Sequence, residues 1–161
     1  MFIIAHKRRR QQKTDLKRRL GLIKSGKTRL VIRKSLSGMS VQFIDYVASG
    51  DKTIVTVVAK DLKKLGWNHS TGNIPSSYLI GLIAGKKAKQ KNITEAVLDF
   101  GLQTSTKGSR IYAALKGVVD AGINVPHSED ILPSEDRLSG KHIQGVDVSK
   151  SFEEMKNKIL G

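Results

Sequence analysis

The sequence predicts an α/β fold: a mixed sheet, made of an antiparallel meander plus a parallel strand, with helices packed on it and a basic arm in front. Three observations predict it. Three β-rich runs separated by short Ser/Gly turns occupy residues 29–59. Two helix-length apolar stripes follow with a short strand between them, and the order βββ-α-β-α implies helices packed on a mixed sheet. Cations crowd the N-terminus: residues 1–34 hold thirteen Lys or Arg and one acid, residues 35–122 carry a net +5, and residues 123–161 a net −2. These shifts divide the chain into a basic arm with a short helix over 1–28, a core domain over 29–125 and a C-terminal extension over 126–161.

Taken in order, Lys7 to Arg10 is a charge run that cannot fold alone. Thr14 is placed to cap a short helix, with Asp15 favourable in its first turn. Leu16, Leu20 and Ile23 recur at i, i+4 and i+7 along it, and Ser25-Gly26 ends it. Arg29 to Ser35 alternates as a strand does, and Ser37-Gly38 turns the chain. Met39, Val41 and Phe43 face one way and Ser40 and Gln42 the other, a half-buried strand reaching about Val47. After the turn Ser49-Gly50-Asp51, Thr53 to Ala59 is a β-branched run of the kind expected in a central strand. Asp61 to Leu65 reads as one helical turn stopped by Gly66. The loop Ser70-Thr71-Gly72-Asn73 precedes Pro75, which suits the first turn of a helix running to about Lys91. Gly81, Ala84 and Gly85 on that helix permit close approach to the sheet. Ala96 to Phe100 forms another strand, ended by Gly101, and Thr104 to Gly108 a polar loop. Ile111, Ala114, Leu115, Val118 and Val119 make a helical stripe, with Gly122 as its terminating glycine. Pro126, Pro133 and Gly140 break up the remainder, and a last helix is expected from Ser151, with Glu154 completing a capping box.

Composition narrows the function. The 161 residues carry a net charge of +15 and no cysteine, which removes disulfides and thiolate metal sites. No apolar run approaches the ~18 residues of a membrane span. Lys7 follows the apolar Met1–Ala5 too soon for a secretory signal, so a cytoplasmic location is expected. A basic arm on a milder body is the electrostatic footprint of nucleic-acid binding. The arm lacks the aromatic and leucine-rich face that a membrane-surface helix needs.

Gly21 to Thr28 formally matches the phosphate-binding loop G-x-x-x-x-G-K-[ST]. A true case follows a buried strand and opens a helix whose amides cradle phosphate. Here a basic helix precedes and a strand follows, so the segment reads as a glycine turn carrying a phosphate-contacting Lys27. Asp45, Asp99 and Asp120 are too dispersed for the converging carboxylates of a two-metal nuclease. His6, His69, His127 and His142 show no metal-ligand spacing, and no nucleophile-elbow pattern supports a Ser-His pair. The aromatics are scattered, without the paired signature that stacks single-stranded bases, so binding is expected to rest on phosphate and shape contacts to folded RNA. Trp67 is expected to pack rather than stack. Thr71-Gly72-Asn73 and Lys107-Gly108-Ser109-Arg110 both precede helices, where free amides bind anions.

At this point the residues resemble a known family. The string Thr14-Asp15, Arg19-Leu20, Lys24-Ser25-Gly26-Lys27, Arg29-Leu30-Val31 and Arg33-Lys34-Ser35 resembles the start of the universal large-subunit ribosomal protein eighteen, in its archaeal form. Gly66-Trp67, Thr71-Gly72-Asn73, Ala96-Val97-Leu98-Asp99, Thr106-Lys107-Gly108-Ser109, Asp120-Ala121-Gly122 and Pro126-His127 continue the resemblance in order. The eukaryotic counterpart is the longer large-subunit ribosomal protein five. The family commonly has proline at the position of Thr28, and this departure alone creates the phosphate-loop match.

The resemblance implies a three-layer, ribonuclease H-like topology, as in other translational machinery components, without nuclease activity. It implies a non-enzymatic protein of the central protuberance that binds 5S rRNA, helps attach it to 23S rRNA and meets neighbouring large-subunit proteins. No cofactor, metal, membrane or small-molecule substrate is expected. The RNA contacts it implies are Lys7, Arg8, Arg9, Arg10, Lys13, Lys17, Arg18 and Arg19 in the arm and Arg29, Arg33, Lys34 and Ser35 on the first strand, beside the phosphate contact already read for Lys27 in the glycine turn. The two helix-start loops add Thr71, Gly72 and Asn73, and Lys107, Gly108, Ser109 and Arg110. The arm is expected to be disordered until RNA orders it. The alternative is a non-ribosomal RNA chaperone or ribosome-assembly factor binding structured RNA.

Overall fold

A computed structural model describes residues 7–11, 13–143 and 147–161, without the side chains of Arg8 and Arg9. Phe2 and His6 lie outside the described residues. Four strands form one sheet in the order β3-β2-β1-β4: β1 Arg29–Lys34, β2 Met39–Asp45, β3 Lys52–Val58 and β4 Val97–Asp99. The first three form the antiparallel meander, and β4 pairs parallel to β1, Leu30 opposite Leu98. The pairing is extended beyond β4 by a parallel bridge between Glu95 and Asn124.

The β3 run is not central. It lies at the sheet edge, with Val55 and Val57 buried and Thr53 and Thr56 exposed. β-branched residues fit any pleated surface, so the run indicated a strand without indicating its neighbours. The interior positions belong to β2 and β1, and residues 29–32 of β1 are all buried.

The helices are α1 Lys7–Arg10, α2 Leu16–Lys24, α3 Ala59–Lys64, α4 Ile74–Lys89, α5 Arg110–Asp120, α6 Glu135–Ser139 and α7 Val148–Leu160. The charge run Lys7 to Arg10 forms the single turn α1, closed by Gln11 N–H to the Lys7 carbonyl at 3.0 Å. Lys and Arg are good helix formers, although one turn alone is marginal. Asp15, rather than Thr14, caps α2, accepting from Arg18 N–H at 3.1 Å. α2 buries no residue, and Leu20 is 54% exposed, so its apolar stripe is not a core face.

α4 is buried along most of its length. Asn73 caps it by accepting from Ser76 N–H at 3.0 Å, and Pro75 occupies its first turn. Gly81 and Gly85 serve the approach of α5, not of the sheet. A Cβ on Gly81 would collide with the Ala114 carbonyl, and one on Gly85 would lie 2.5 Å from the Ala121 Cβ. Gly117 on α5 returns the fit, since a Cβ there would collide with the Tyr78 carbonyl. The two helices therefore cross backbone to backbone. Leu30, Ile32, Val41 and Phe43 meet them in the core.

Trp67 packs as expected, 2% exposed, with its ring N–H donating to the Ser70 carbonyl at 3.1 Å. The last helix starts one turn before Ser151: Asp147 caps it, and Val148, Phe152, Met155 and Ile159 form its buried stripe. Val148 belongs to that stripe, so burial recruits the earlier turn. α6 and α7 pack on α4, and the Lys86 ammonium donates to the Ile159 carbonyl at 2.6 Å. Among the described residues, no helix is long and apolar enough to cross a membrane.

Candidate nucleic-acid interface

Strand alternation sends Leu30 and Ile32 into the core, so Arg29, Val31 and Arg33 point to the opposite face of the sheet. There β1 meets β2 with Val31 opposite Gln42 and Arg33 opposite Ser40, which makes the face polar. The Gln42 amide donates to the Thr56 hydroxyl at 3.2 Å across the next strand pair. α2 lies beside this face, and a groove of 220 Å³ between them is lined by Arg18, Arg19, Arg29, Arg33, Asp51 and Asp99, among others.

An ion-pair network holds these arginines. Arg29 is 4% exposed; its Nη2 donates to Asp51 Oδ2 at 2.5 Å and its Nη1 to Asp99 Oδ2 at 3.2 Å. Arg29 Nε is buried and has no hydrogen-bond partner among the described residues. Asp99, 6% exposed, also accepts from Arg33 Nη2 at 3.0 Å and from Gly101 N–H at 2.9 Å. Arg33 Nη1 donates to the Asp99 carbonyl at 2.6 Å. Gly101, at φ +63, lies so close to the Arg33 guanidinium that a Cβ would crowd it at 3.1 Å. Arg19 donates to Asp51 at 2.7 Å, and the Arg18 guanidinium sits 4.0 Å over the Phe100 ring. α2 is thus attached through arginines rather than through leucines.

The second group of predicted residues gathers at the end of the sheet where β1 turns into β2. Gln103 clamps the backbone of Lys34, donating to its carbonyl at 2.9 Å and accepting from its N–H at 3.2 Å. Ser35 closes the hairpin on Gly38. Thr71 donates to the Ser37 carbonyl at 2.7 Å, and Arg110 reaches across to the Gly72 carbonyl at 2.9 Å. The two helix-start loops, remote in sequence, therefore touch. Asn73 is committed to capping α4, whereas the Ser109 hydroxyl at the start of α5 is buried and has no hydrogen-bond partner among the described residues. Gly108, at φ +65, has open space around its missing Cβ.

Lys27 stands apart from both groups, at the start of β1, where its ammonium meets Glu95 at 2.7 Å. Lys7, Arg10, Lys13 and Lys17 are exposed. The side chains of Arg8 and Arg9 lie outside the description. Sequence reasoning did not anticipate Asp51 and Gln103, and it took Asp99 as an ordinary solvated or ion-paired acid without assigning it the arginines it orients. The available signal was the alternation Arg29-Val31-Arg33, which puts two cations on one face of a buried strand and so requires acids nearby.

Asp45, Asp99 and Asp120 are engaged separately, each with its own partners. Asp45 accepts from the Thr28 hydroxyl at 2.7 Å, Asp99 holds arginines, and Asp120 accepts from the Tyr78 hydroxyl at 2.8 Å and pairs with Lys116 at 3.0 Å. Burial, then the hydrogen bond to Asp120, raises the Tyr78 phenol above its ordinary pKa of 10.0. His69 and Ser151 are in contact at 2.9 Å, joining the loop before α4 to α7. Trp67 packs edge-on against His69. No three metal-ligating side chains cluster among the described residues.

The fold and these features define a small, strongly basic α/β protein with an arginine-bearing sheet face. The family model described as "Ribosomal large subunit proteins 60S L5, and 50S L18" matches residues 1–96 and 86–128. The large ribosomal subunit protein uL18 of Methanothrix thermoacetophila is 45% identical over 163 aligned positions, covering 99% of this chain and 96% of that protein. The uL18 of Korarchaeum cryptofilum is 51% identical, covering 88% of this chain and 73% of that protein. The uL18 of Methanothermobacter thermautotrophicus is 43% identical, covering 98% and 82%. The chain belongs to this family of large-subunit ribosomal proteins, a structural rather than a catalytic class.

Proposed function

We propose that this protein is a structural constituent of the cytoplasmic large ribosomal subunit that binds 5S rRNA and helps attach it to 23S rRNA in the central protuberance. The observation that carries this reading is the placement of the cations, within a family of ribosomal proteins. The arm and α2, which carries Arg18 and Arg19, border the sheet face that bears Arg33, and the two helix-start loops meet at Gly72 and Arg110 near the end of β1. Phosphates would be met by Lys7, Arg8, Arg9, Arg10, Lys13, Lys17 and the exposed faces of Arg18, Arg19 and Arg33. Arg29 works behind this surface: it fixes Asp51 and Asp99, which fix Arg19 and Arg33. Orientation is thereby set before RNA arrives.

The test is the salt dependence of 5S rRNA binding. Deleting residues 1–12 removes Lys7, Arg8, Arg9 and Arg10. At about 0.9 per phosphate contact, the slope of log K against log[salt] should fall in magnitude by about 3–4. Preference for 5S rRNA over an unrelated structured RNA should persist, because phosphate contacts read little sequence. An unchanged slope would move the electrostatic mechanism from the arm to the body. Absence of the protein from mature subunits in co-sedimentation would favour the assembly-factor alternative.

A further inference from the structure

At the tip of the β1–β2 hairpin, Leu36 is 98% exposed, the barest large apolar side chain among the described residues. A lone exposed leucine is ordinary. Leu36 differs in that its backbone is held from several sides. Ser35 N–H donates to the Gly38 carbonyl at 2.9 Å and closes the turn. Thr71 ties the Ser37 carbonyl at 2.7 Å. Gly72 lies so close that a Cβ on it would sit 3.1 Å from the Leu36 carbonyl, and Arg110 anchors Gly72 in turn. The tip is ordered by folding itself, so a contact made by Leu36 costs little further entropy.

The surroundings indicate what Leu36 meets. Residues 35–44 and 70–94 contain no acid, and the segments that converge here bring Lys34 and Arg110. An apolar tip among cations suits a chain that presents phosphates beside exposed ring faces. Structured RNA does so wherever a base leaves the stack, and apolar side chains insert against such faces.

We propose that Leu36 packs on an unstacked nucleobase or its ribose in the RNA this protein holds, with the neighbouring cations on the flanking phosphates. The proposal rests on the RNA-binding reading above and adds a contact that is not electrostatic. Its signature is a loss of affinity that salt does not change.

The full chain, Leu36→Ser, Leu36→Met and Lys107→Ala would be titrated with 5S rRNA transcript over a salt series. Leu36→Ser should bind about tenfold more weakly at every salt concentration, the loss expected for one leucine's apolar contact. Its slope of log K against log[salt] should equal the parent's, because no phosphate contact is removed. Leu36→Met should retain the parent affinity. Lys107→Ala should instead lower the slope by about 0.9. Thermal melts of the Leu36 variants should overlay the parent, since the side chain touches little in the free protein. Equal binding by Leu36→Ser and the parent overturns the proposal, and so does a loss confined to low salt. A parent that fails to bind the transcript overturns the RNA reading and this contact with it.

Discussion

Asp99→Ala removes the acid that holds the arginines of the sheet face. Asp99 accepts from Arg29 at 3.2 Å, from Arg33 at 3.0 Å and from Gly101 N–H at 2.9 Å. Removing one partner of a buried pair typically costs about 3–5 kcal/mol, because the remaining charge is stranded. Two features reduce that figure. Arg29 keeps Asp51 at 2.5 Å, and the Arg33 side chain is 39% exposed and can turn to water. The expected loss is therefore about 2–3 kcal/mol. Asp99→Asn retains an acceptor for the Gly101 turn and should lose about 1–2 kcal/mol. Urea unfolding with a common m value measures both. Pairing Asp99→Ala with Arg29→Met in a double-mutant cycle should show a coupling of about 1–3 kcal/mol. If Asp99→Ala unfolds within about 0.5 kcal/mol of the parent, or the coupling vanishes, the network does not hold the face together and the argument fails.

Three further outcomes follow from the same geometry. Gly81→Ala should destabilise by about 2 kcal/mol or more in urea unfolding, because its Cβ meets backbone of α5; Gly21→Ala on α2, with open space around it, should stabilise by about 0.5–1 kcal/mol. The fold favours the neutral Tyr78 phenol, so that contribution is complete below pH 10.0 and is lost as the pH rises further, where the unfolded chain releases its proton and the native one keeps it. Tyr78→Phe should then show a shallower alkaline loss of stability above pH 10 in melts run across that range. Lys27→Ala should shift stability by less than about 1 kcal/mol, the worth of an exposed ion pair, and calorimetry should detect no ATP or GTP binding in either protein.

Much of the fold is legible in local pattern. Alternation from Met39 to Phe43 marked β2 and its buried face, and the stripe from Ile111 to Val119 marked α5 with Gly122 beyond its end at φ +96. These features depend on residues a few positions apart, whose period is set by the backbone itself. The concentration of cations in the first 34 residues is likewise a property of the chain alone. Neighbours are different. That β3 lies at the edge, that Gly81 faces α5 and that Val148 brings α7 forward by a turn each depend on what packs against an element, which its own period does not state. The basic surface shows the same division. The sequence identified Arg29, Arg33 and the loops at Thr71 and Lys107 as cationic or anion-facing positions. Only tertiary structure buried Arg29 between Asp51 and Asp99, the latter 70 residues away, and brought Arg110 onto Gly72 across 38. Pairing at that separation is decided by which surfaces fold together, because a buried charge must find a partner wherever the chain brings one.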